Sequence, residues 1–278
     1  MARVLKYHGL GNDFALAPAG AFSPEVVPAV CDRHRGVGAD GVIFWSLAPQ
    51  GADHDATMVI YNQDGSRPEM CGNGIRCLAR MLADEGLVDA DAIRVETDAG
   101  VLLCELVEGG VRVEMGPGAL DAPGAPLSHG DARFPYVPVD MGNPHAVVFA
   151  MPSVEVIDDV GARANDGDPR FPEGVNVEFV DVEPDGALRV VVYERGVGRT
   201  QACGTGACAV AVAAWDAGKA PAGGPTRVLL PGGPLEIGAR GGQVLMTGPA
   251  ARVFEATLDA SLIGHDGLTH GRTAAYKE

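Results

Sequence analysis

Two cysteines carry most of the chemistry legible in this sequence. Cys71 stands in EMCGNGIRC and Cys203 in QACGTGAC, each followed by Gly-x-Gly and then by an apolar run. Such a run after a glycine loop reads as a helix. Its N-terminus presents unpaired N–H groups and the positive end of the macrodipole. Asn73 and Thr205 are expected at the two N-caps. A helix end of this kind cradles a carboxylate, with glycine letting the backbone approach closely. It also lowers the pKa of a neighbouring thiol, so that thiolate becomes accessible near neutral pH. One Cys-Gly-x-Gly alone would signify little, because free cysteine is commonly a buried small hydrophobe. Two copies ask for a common cause.

That cause is an internal duplication. Cys71 meets Cys203 at an offset of 132 residues, and the same offset brings Tyr61 to Tyr193 and Gly74 to Gly206. It also brings Gly109-Gly110 to Gly241-Gly242 and Pro117 to Pro249. With small gaps, LGNDF around Asn12 meets MGNPH around Asn143, and GADGVIF meets GVNVEFV. An ordered series at one offset means two similar halves. If the halves face each other about a pseudo-twofold axis, both thiols and both helix ends meet in one cleft. Two thiols on opposite faces of one carbon form a two-base device. A thiolate removes an α-proton, and the other thiol delivers a proton to the opposite face, inverting the centre. The helix ends stabilise the charge that develops on the α-carboxylate side. This scheme asks for no cofactor.

The elements that must position these groups are mostly strands. VLLCELV, VRVEM, ALRVVVYE, RVLL, PLEI and QVLM are short, β-branched and bounded by Gly or Pro. Gly-Gly turns between them read as hairpins. One helix per half follows the cysteine motif, at about 74–85 and about 206–217. The second is apolar on nearly every face and too short for a bilayer, so it is expected to be buried all round. The expected fold is α+β, with two similar pseudo-symmetric lobes and the active site in the cleft between them. Each lobe is a mostly antiparallel sheet wrapped around a central helix. The lobes are expected at 1–120 and 121–264, with the boundary in the Pro/Gly-rich stretch 116–134 and the tail 265–278 packing on the first lobe.

Composition fits this picture. The 278 residues suit two domains, and 46% hydrophobic residues supply a core. A net charge of −16 disfavours nucleic acid and anionic membrane surfaces. No apolar run nears the roughly 20 residues of a membrane span, and the start lacks the apolar stretch of a signal peptide. A cytoplasmic protein with six reduced cysteines is expected. None of the six forms C-x-x-C, so neither a zinc ribbon nor a thioredoxin-like motif is supported.

Six motifs run in order over essentially the whole chain: YHGLGNDF, GVGADG, YNQDGSRPEMCGNGIRC, MGNPHAVVF, GVNVEFV and YERGVGRTQACGTGACA. In this order and spacing the chain resembles the diaminopimelate epimerase family, cofactor-independent amino-acid racemases. The resemblance implies interconversion of LL- and meso-2,6-diaminoheptanedioate, on the bacterial route to lysine and peptidoglycan. It implies Cys71 as proton donor and Cys203 as acceptor. It further implies substrate contacts from Asn12, Asn62, Asn143 and Asn176, and a backbone cradle for the reacting carboxylate from Gly72, Asn73, Gly204 and Thr205. Glu194 and Arg195 would meet the far end of the substrate, and His145 would support the catalytic pair. Cofactor and metal would be absent, and the small-molecule substrate would be the partner of a possible homodimer. Elementary chemistry agrees: Glu194 suits the far ammonium, the Arg195 fork suits the far carboxylate, and asparagines add donors and acceptors without charge.

Two departures stand out. Many members have Gln where this chain has Gly41, and Glu is common where it has Arg199. Other residues have plainer readings. His8 stabilises a turn, Cys77 and Cys208 are core, and Arg76 anchors the first helix by pairing. Three rival readings remain from the residues: a proline racemase, a thiol redox protein, and a non-catalytic pair of amino-acid-binding lobes. The Glu194-Arg195 pair disfavours the first, because proline has no far end to meet.

Overall fold

The structure, a computed structural model, describes residues 1–68 and 70–264; the expected packing of the tail 265–278 lies outside them. The first half runs β1 (Ala2–Gly9), β2 (Asn12–Pro18), α1 (Val27–Cys31), β3 (Gly41–Leu47), β4 (Ala56–Asn62), α2 (Gly72–Asp84), β5 (Ala92–Thr97), β6 (Gly100–Val107), β7 (Gly110–Glu114) and β8 (Ala119–Leu120). The second opens with β9 (Leu127–His129), β10 (Ala132–Phe134), β11 (Val137–Asp140), β12 (Pro144–Val148), α3 (Val154–Ala164), β13 (Asn176–Val182), β14 (Leu188–Glu194) and β15 (Gly198–Arg199). It continues with α4 (Gly204–Asp216), β16 (Thr226–Leu230), β17 (Gly233–Arg240), β18 (Gln243–Gly248), β19 (Ala251–Leu258) and α5 (Ala260–Ile263). Among the described residues no helix is long and apolar enough to cross a membrane.

One pairing scheme occurs twice. β1 and β2 are antiparallel, β2 and β3 parallel, β3 and β4 antiparallel, β4 and β5 parallel, and β5, β6 and β7 form an antiparallel meander. β11, β12, β13, β14, β16, β17 and β18 repeat the same senses in the same order. The result is two similar lobes, each a mostly antiparallel sheet around a helix. α4 is buried at every residue from Ala207 to Ala214. Its small Ala, Val and Cys side chains let strands close in from all sides. α2 keeps a wet edge, where Arg80 pairs with Asp84 at 2.8 Å.

The lobes join through the backbone. β7 pairs with β18, matching Glu114 with Leu245 and Val113 with Met246. An offset of 132 turns the first of these pairs into the second, so the pseudo-twofold axis passes between the two strands. Each lobe also borrows a last strand. β8 crosses to β11, and its duplicate β19 crosses to β1, running from Ala2 against Leu258 to His8 against Ala251. A boundary at 120/121 assigns β19 to the second lobe, whereas its register lays it along the first lobe's sheet. The exchange covers edges that would otherwise expose unpaired N–H and C=O groups.

The sequence reading gives no helix at α3. Its signal is the helical spacing of the buried Ile157, Val160, Gly161 and Ala164, with Ser153 at the N-cap.

Candidate active site

Both cysteine motifs start helices, but two residues earlier than expected. Cys71 and Cys203 are themselves the N-caps, with extended backbones at φ −141°, ψ 112° and φ −114°, ψ 114°. Cys71 Sγ accepts the N–H of Gly74 at 3.4 Å, and Cys203 Sγ accepts that of Gly206 at 3.3 Å. Asn73 and Thr205, expected as caps, lie inside the first turns. Their side chains are engaged elsewhere. Asn73 Nδ2 donates to Asn12 Oδ1 at 3.1 Å and to the Ala202 carbonyl of the other lobe at 3.0 Å. Thr205 Oγ1 lies 3.5 Å from Cys203 Sγ.

The two helix ends touch. A Cβ built on Gly72 would lie 3.6 Å from Gly204 Cα and 2.9 Å from Met246 Cε, and one on Gly204 would lie 3.4 Å from Gly72 Cα. Glycine at both positions permits this approach. Two positive helix ends brought so close make a place for an anion.

The expected lowering of the thiol pKa values is corrected. Burial pushes Cys71 up and outweighs the opposing N–H groups of Gly74 and Asn73. Burial pushes Cys203 well up, and the carboxylates of Glu194 and Glu178 add to it, against Thr205 and Gly206. The helix-end contribution has the expected sign, but dehydration of the sulfur is the larger effect.

The remaining side chains come from equivalent points of the two lobes. Asn12 opens β2, and Asn143 stands just before β12. Gly41 and Asn176 open β3 and β13, paired to Phe14 and His145 respectively. Asn62 and Glu194 close β4 and β14, at the 132-residue offset. The frame is therefore symmetric while the side chains it carries differ.

In the second lobe a hydrogen-bonded chain leads away from Cys203. Asn143 Nδ2 donates to Thr205 Oγ1 at 3.4 Å, and its Oδ1 faces His145 Nε2 at 2.9 Å. His145 Nδ1 meets Glu178 Oε1 at 2.7 Å, both side chains having no solvent exposure. Asn176 Oδ1 accepts the N–H of Arg195 at 3.0 Å, and the Arg195 Nη1 donates to the Glu173 carbonyl at 3.2 Å. Glu194 accepts the Thr200 hydroxyl.

Asn62 makes its side-chain hydrogen bond locally. Its amide donates to Ser66 Oγ at 2.9 Å, within its own turn. Gly41 has no room for a side chain, since a Cβ there would lie 2.5 Å from the Tyr61 carbonyl oxygen. Arg199 is peripheral and exposed, pairing with Asp158 at 2.7 Å. His8 accepts the Gly11 N–H at 3.3 Å, the turn role expected of it. Cys77 and Cys208 are fully buried, as expected of core residues.

Two residues of the site escape the sequence reading. Asp40 Oδ2 accepts Asn12 Nδ2 at 2.8 Å, which turns Asn12 Oδ1 towards Cys71 and Asn73. Arg33 holds Asp40 in turn, at 2.7 Å. Glu178 is the other, fixing His145. Its signal is an acidic residue inside the apolar strand VNVEFV, which requires a buried partner. In the first lobe the equivalent places hold Ile43 and Phe14. Ile43 packs under Gly74 as Glu178 packs under Gly206.

The duplicated two-lobed fold is shared with solved structures described as a racemase and an epimerase. A probable proline racemase from Agrobacterium radiobacter matches it with a TM-score of 0.71, at 19% identity over 93% of each chain. A hydroxyproline epimerase from Agrobacterium vitis matches with a TM-score of 0.70, at 18% identity over 95% of this chain and 97% of that one. At such identities the likeness is one of fold. The family is decided by sequence. The family model for diaminopimelate epimerase matches residues 4–120 and 137–253. A protein named diaminopimelate epimerase from Synechococcus elongatus is 42% identical over 280 residues, covering 91% of this chain and 97% of that protein. A chloroplastic diaminopimelate epimerase from Oryza sativa subsp. japonica is 41% identical, covering 90% of this chain and 78% of that protein. The chain belongs to the diaminopimelate epimerase family.

Proposed function

We propose that the protein is an isomerase that interconverts LL- and meso-2,6-diaminoheptanedioate, in the formation of lysine and peptidoglycan precursors. The observation that carries this reading is the contact of two helix N-termini at Gly72 and Gly204, each capped by a cysteine. The α-carboxylate of the substrate sits at the joined helix ends, held by N–H groups of Gly72, Asn73, Gly204 and Thr205. Cys71 and Cys203 then flank the α-carbon. In the LL-to-meso direction Cys203 takes the α-proton and Cys71 supplies one to the opposite face.

Asn12 and Asn143 orient the reacting end, and Asn176 fixes the Arg195 backbone beside the far end. His145 acts through Asn143, whose amide orientation it locks. Glu194 pairs with the far ammonium, and Arg195 binds the far carboxylate with Asn62 and Asn176 beside it. Pairing with that ammonium also removes the repulsion that Glu194 exerts on a Cys203 thiolate. Cys203 is only 7% exposed and His145 2%, so the carbanion forms away from water. A cytoplasmic homodimer belongs to the same reading and rests on the family resemblance.

Reduced protein incubated with the LL isomer should yield the meso isomer on chiral chromatography, and free L-proline should remain unchanged. Racemisation of proline with the LL isomer untouched would overturn the assignment in favour of a proline racemase.

A further inference from the structure

Asn12 and Asn143 stand at duplicated places, yet their amides are turned opposite ways. In the second lobe Asn143 sends Oδ1 out to His145 Nε2 at 2.9 Å and Nδ2 in to Thr205 Oγ1 at 3.4 Å. In the first lobe Asn12 sends Nδ2 out to Asp40 Oδ2 at 2.8 Å. Its Oδ1 points in, where it accepts Asn73 Nδ2 at 3.1 Å and the Cys71 thiol at 3.9 Å. The oxygen and nitrogen of an amide are told apart by their partners. Here the partner decides. A carboxylate paired to a guanidinium only accepts, so a reversed Asn12 would set two oxygens 2.8 Å apart.

Asp40 is itself held from several sides. Oδ1 accepts Arg33 Nη2 at 2.7 Å, and Oδ2 also accepts the Asp13 N–H at 3.1 Å. Its own N–H donates to the Asp13 carbonyl at 2.8 Å, and its carbonyl accepts the Gln63 N–H at 2.9 Å. Asp13 pairs in turn with Arg33 at 2.8 Å and Lys6 at 2.7 Å, so two carboxylates face two cations. The acceptor is therefore fixed before any substrate arrives. The second lobe has no copy of it. Asp40 directly precedes β3, and the residue directly before β13 is the buried Val175.

The inward oxygen of Asn12 gathers two donors. One is the S–H of Cys71, which burial holds in its thiol form. The other is Asn73, whose Nδ2 also reaches the Ala202 carbonyl, next to Cys203, at 3.0 Å. An N–H group in that place would face both donors and satisfy neither.

We propose that Asp40 is a positioning residue of the epimerase: by claiming the Asn12 amide N–H it turns the Asn12 oxygen inward, which keeps Cys71 in the role of proton donor and anchors Asn73 across the lobes. The inference rests on the acid/base reading of the two cysteines. Asp40 acts through Asn12. Asparagine at 40 is close to isosteric but offers N–H groups as well as an oxygen, so it releases the Asn12 amide to reverse.

The test is a double-mutant cycle in kcat/KM for the LL isomer, with a thermal melt of every variant. Asp40→Asn should lower kcat/KM about tenfold or more, the range of one charge-assisted hydrogen bond. In an Asn12→Ala background the same change should cost less than about twofold, because no amide remains to be turned. Asn12→Asp sets two carboxylates together and should lose more than Asp40→Asn. Joining Asn12→Asp to Asp40→Asn exchanges donor and acceptor and returns an oxygen to Cys71. That pair should recover about tenfold over Asn12→Asp alone. Equal losses from Asp40→Asn in the two backgrounds, with normal melts, would overturn the proposal. So would full activity in Asp40→Asn, or an exchanged pair no better than Asn12→Asp. Where Asp40→Asn does not fold, the exchanged pair decides alone. Epimerisation by the unaltered protein is assayed alongside. Its absence would defeat the acid/base reading, whereas activity with an additive cycle defeats this inference alone.

Discussion

Alanine at Cys71 or at Cys203 is expected to reduce kcat/KM for epimerisation by about 10³–10⁴-fold or more, since each change removes one of two obligatory proton carriers. The size of the loss follows from the geometry. The two sulfurs cap two helices that meet at Gly72 and Gly204. The same sulfurs accept helix N–H groups, so alanine also removes a cap, at a cost of about 1 kcal/mol. Serine separates the two effects. It caps a helix well, so Cys71→Ser and Cys203→Ser should keep the fold. Its hydroxyl is a much weaker acid than a thiol, so only partial α-proton exchange should remain. Thermal melts and steady-state kinetics on all four variants check this. An alanine variant that melts normally and keeps a tenth of the activity would remove its cysteine from the mechanism.

The second large effect concerns the far end of the substrate. L-Lysine lacks the far carboxylate, and the protein should disfavour it relative to the LL substrate by about 10⁴–10⁵ in kcat/KM. A missing carboxylate leaves the Arg195 fork without the partner that it would bind. Arg195→Met should narrow that preference by at least about 10²-fold, mostly through loss of activity on the LL substrate. Glu194→Gln should do less through recognition but more through Cys203, because the Glu194 carboxylate helps hold the pKa of that thiol up. Burial raises the Glu194 carboxyl, partly offset by the Thr200 hydroxyl, so an arriving ammonium supplies the charge that keeps it ionised. Competition kinetics with both substrates on each variant would measure this. An unchanged preference after Arg195→Met would place the far end elsewhere.

The duplication was legible because Cys, Gly, Tyr and Pro recur at one offset, and each marks a backbone need shared by the two lobes. The repeated strand pairings followed from it. The exchange of β8 and β19 was not legible, since the partner of an edge strand depends on the path of the chain after β7 and β18. The N-caps were misplaced for a local reason. Asn73 and Thr205 are good caps by type, but a cross-lobe bond to the Ala202 carbonyl claims Asn73, Asn143 and Cys203 claim Thr205, and sulfur took their place. The thiol pKa values went astray because a sequence shows a helix end and hides how dry it is. Asp40 and Glu178 were hidden because they touch their partners through β2–β3 and β12–β13 pairings that join residues distant along the chain. Arg76 was read as anchoring its helix by pairing, whereas among the described residues it meets carbonyls, an amide and a thioether, and Cys208 takes its place in the second lobe.

The central claim is that one thiol removes the α-proton and the other replaces it. It is tested most directly by incubating the reduced protein with the LL isomer in deuterium oxide and sampling at low conversion by mass spectrometry and proton NMR. The account predicts one α-deuterium in the meso product while the unreacted LL isomer stays protiated, because the two faces are served by different sulfurs. Deuterium entering the unreacted LL isomer as fast as the product forms would contradict the two-base mechanism. The absence of both inversion and deuteration would contradict the function itself.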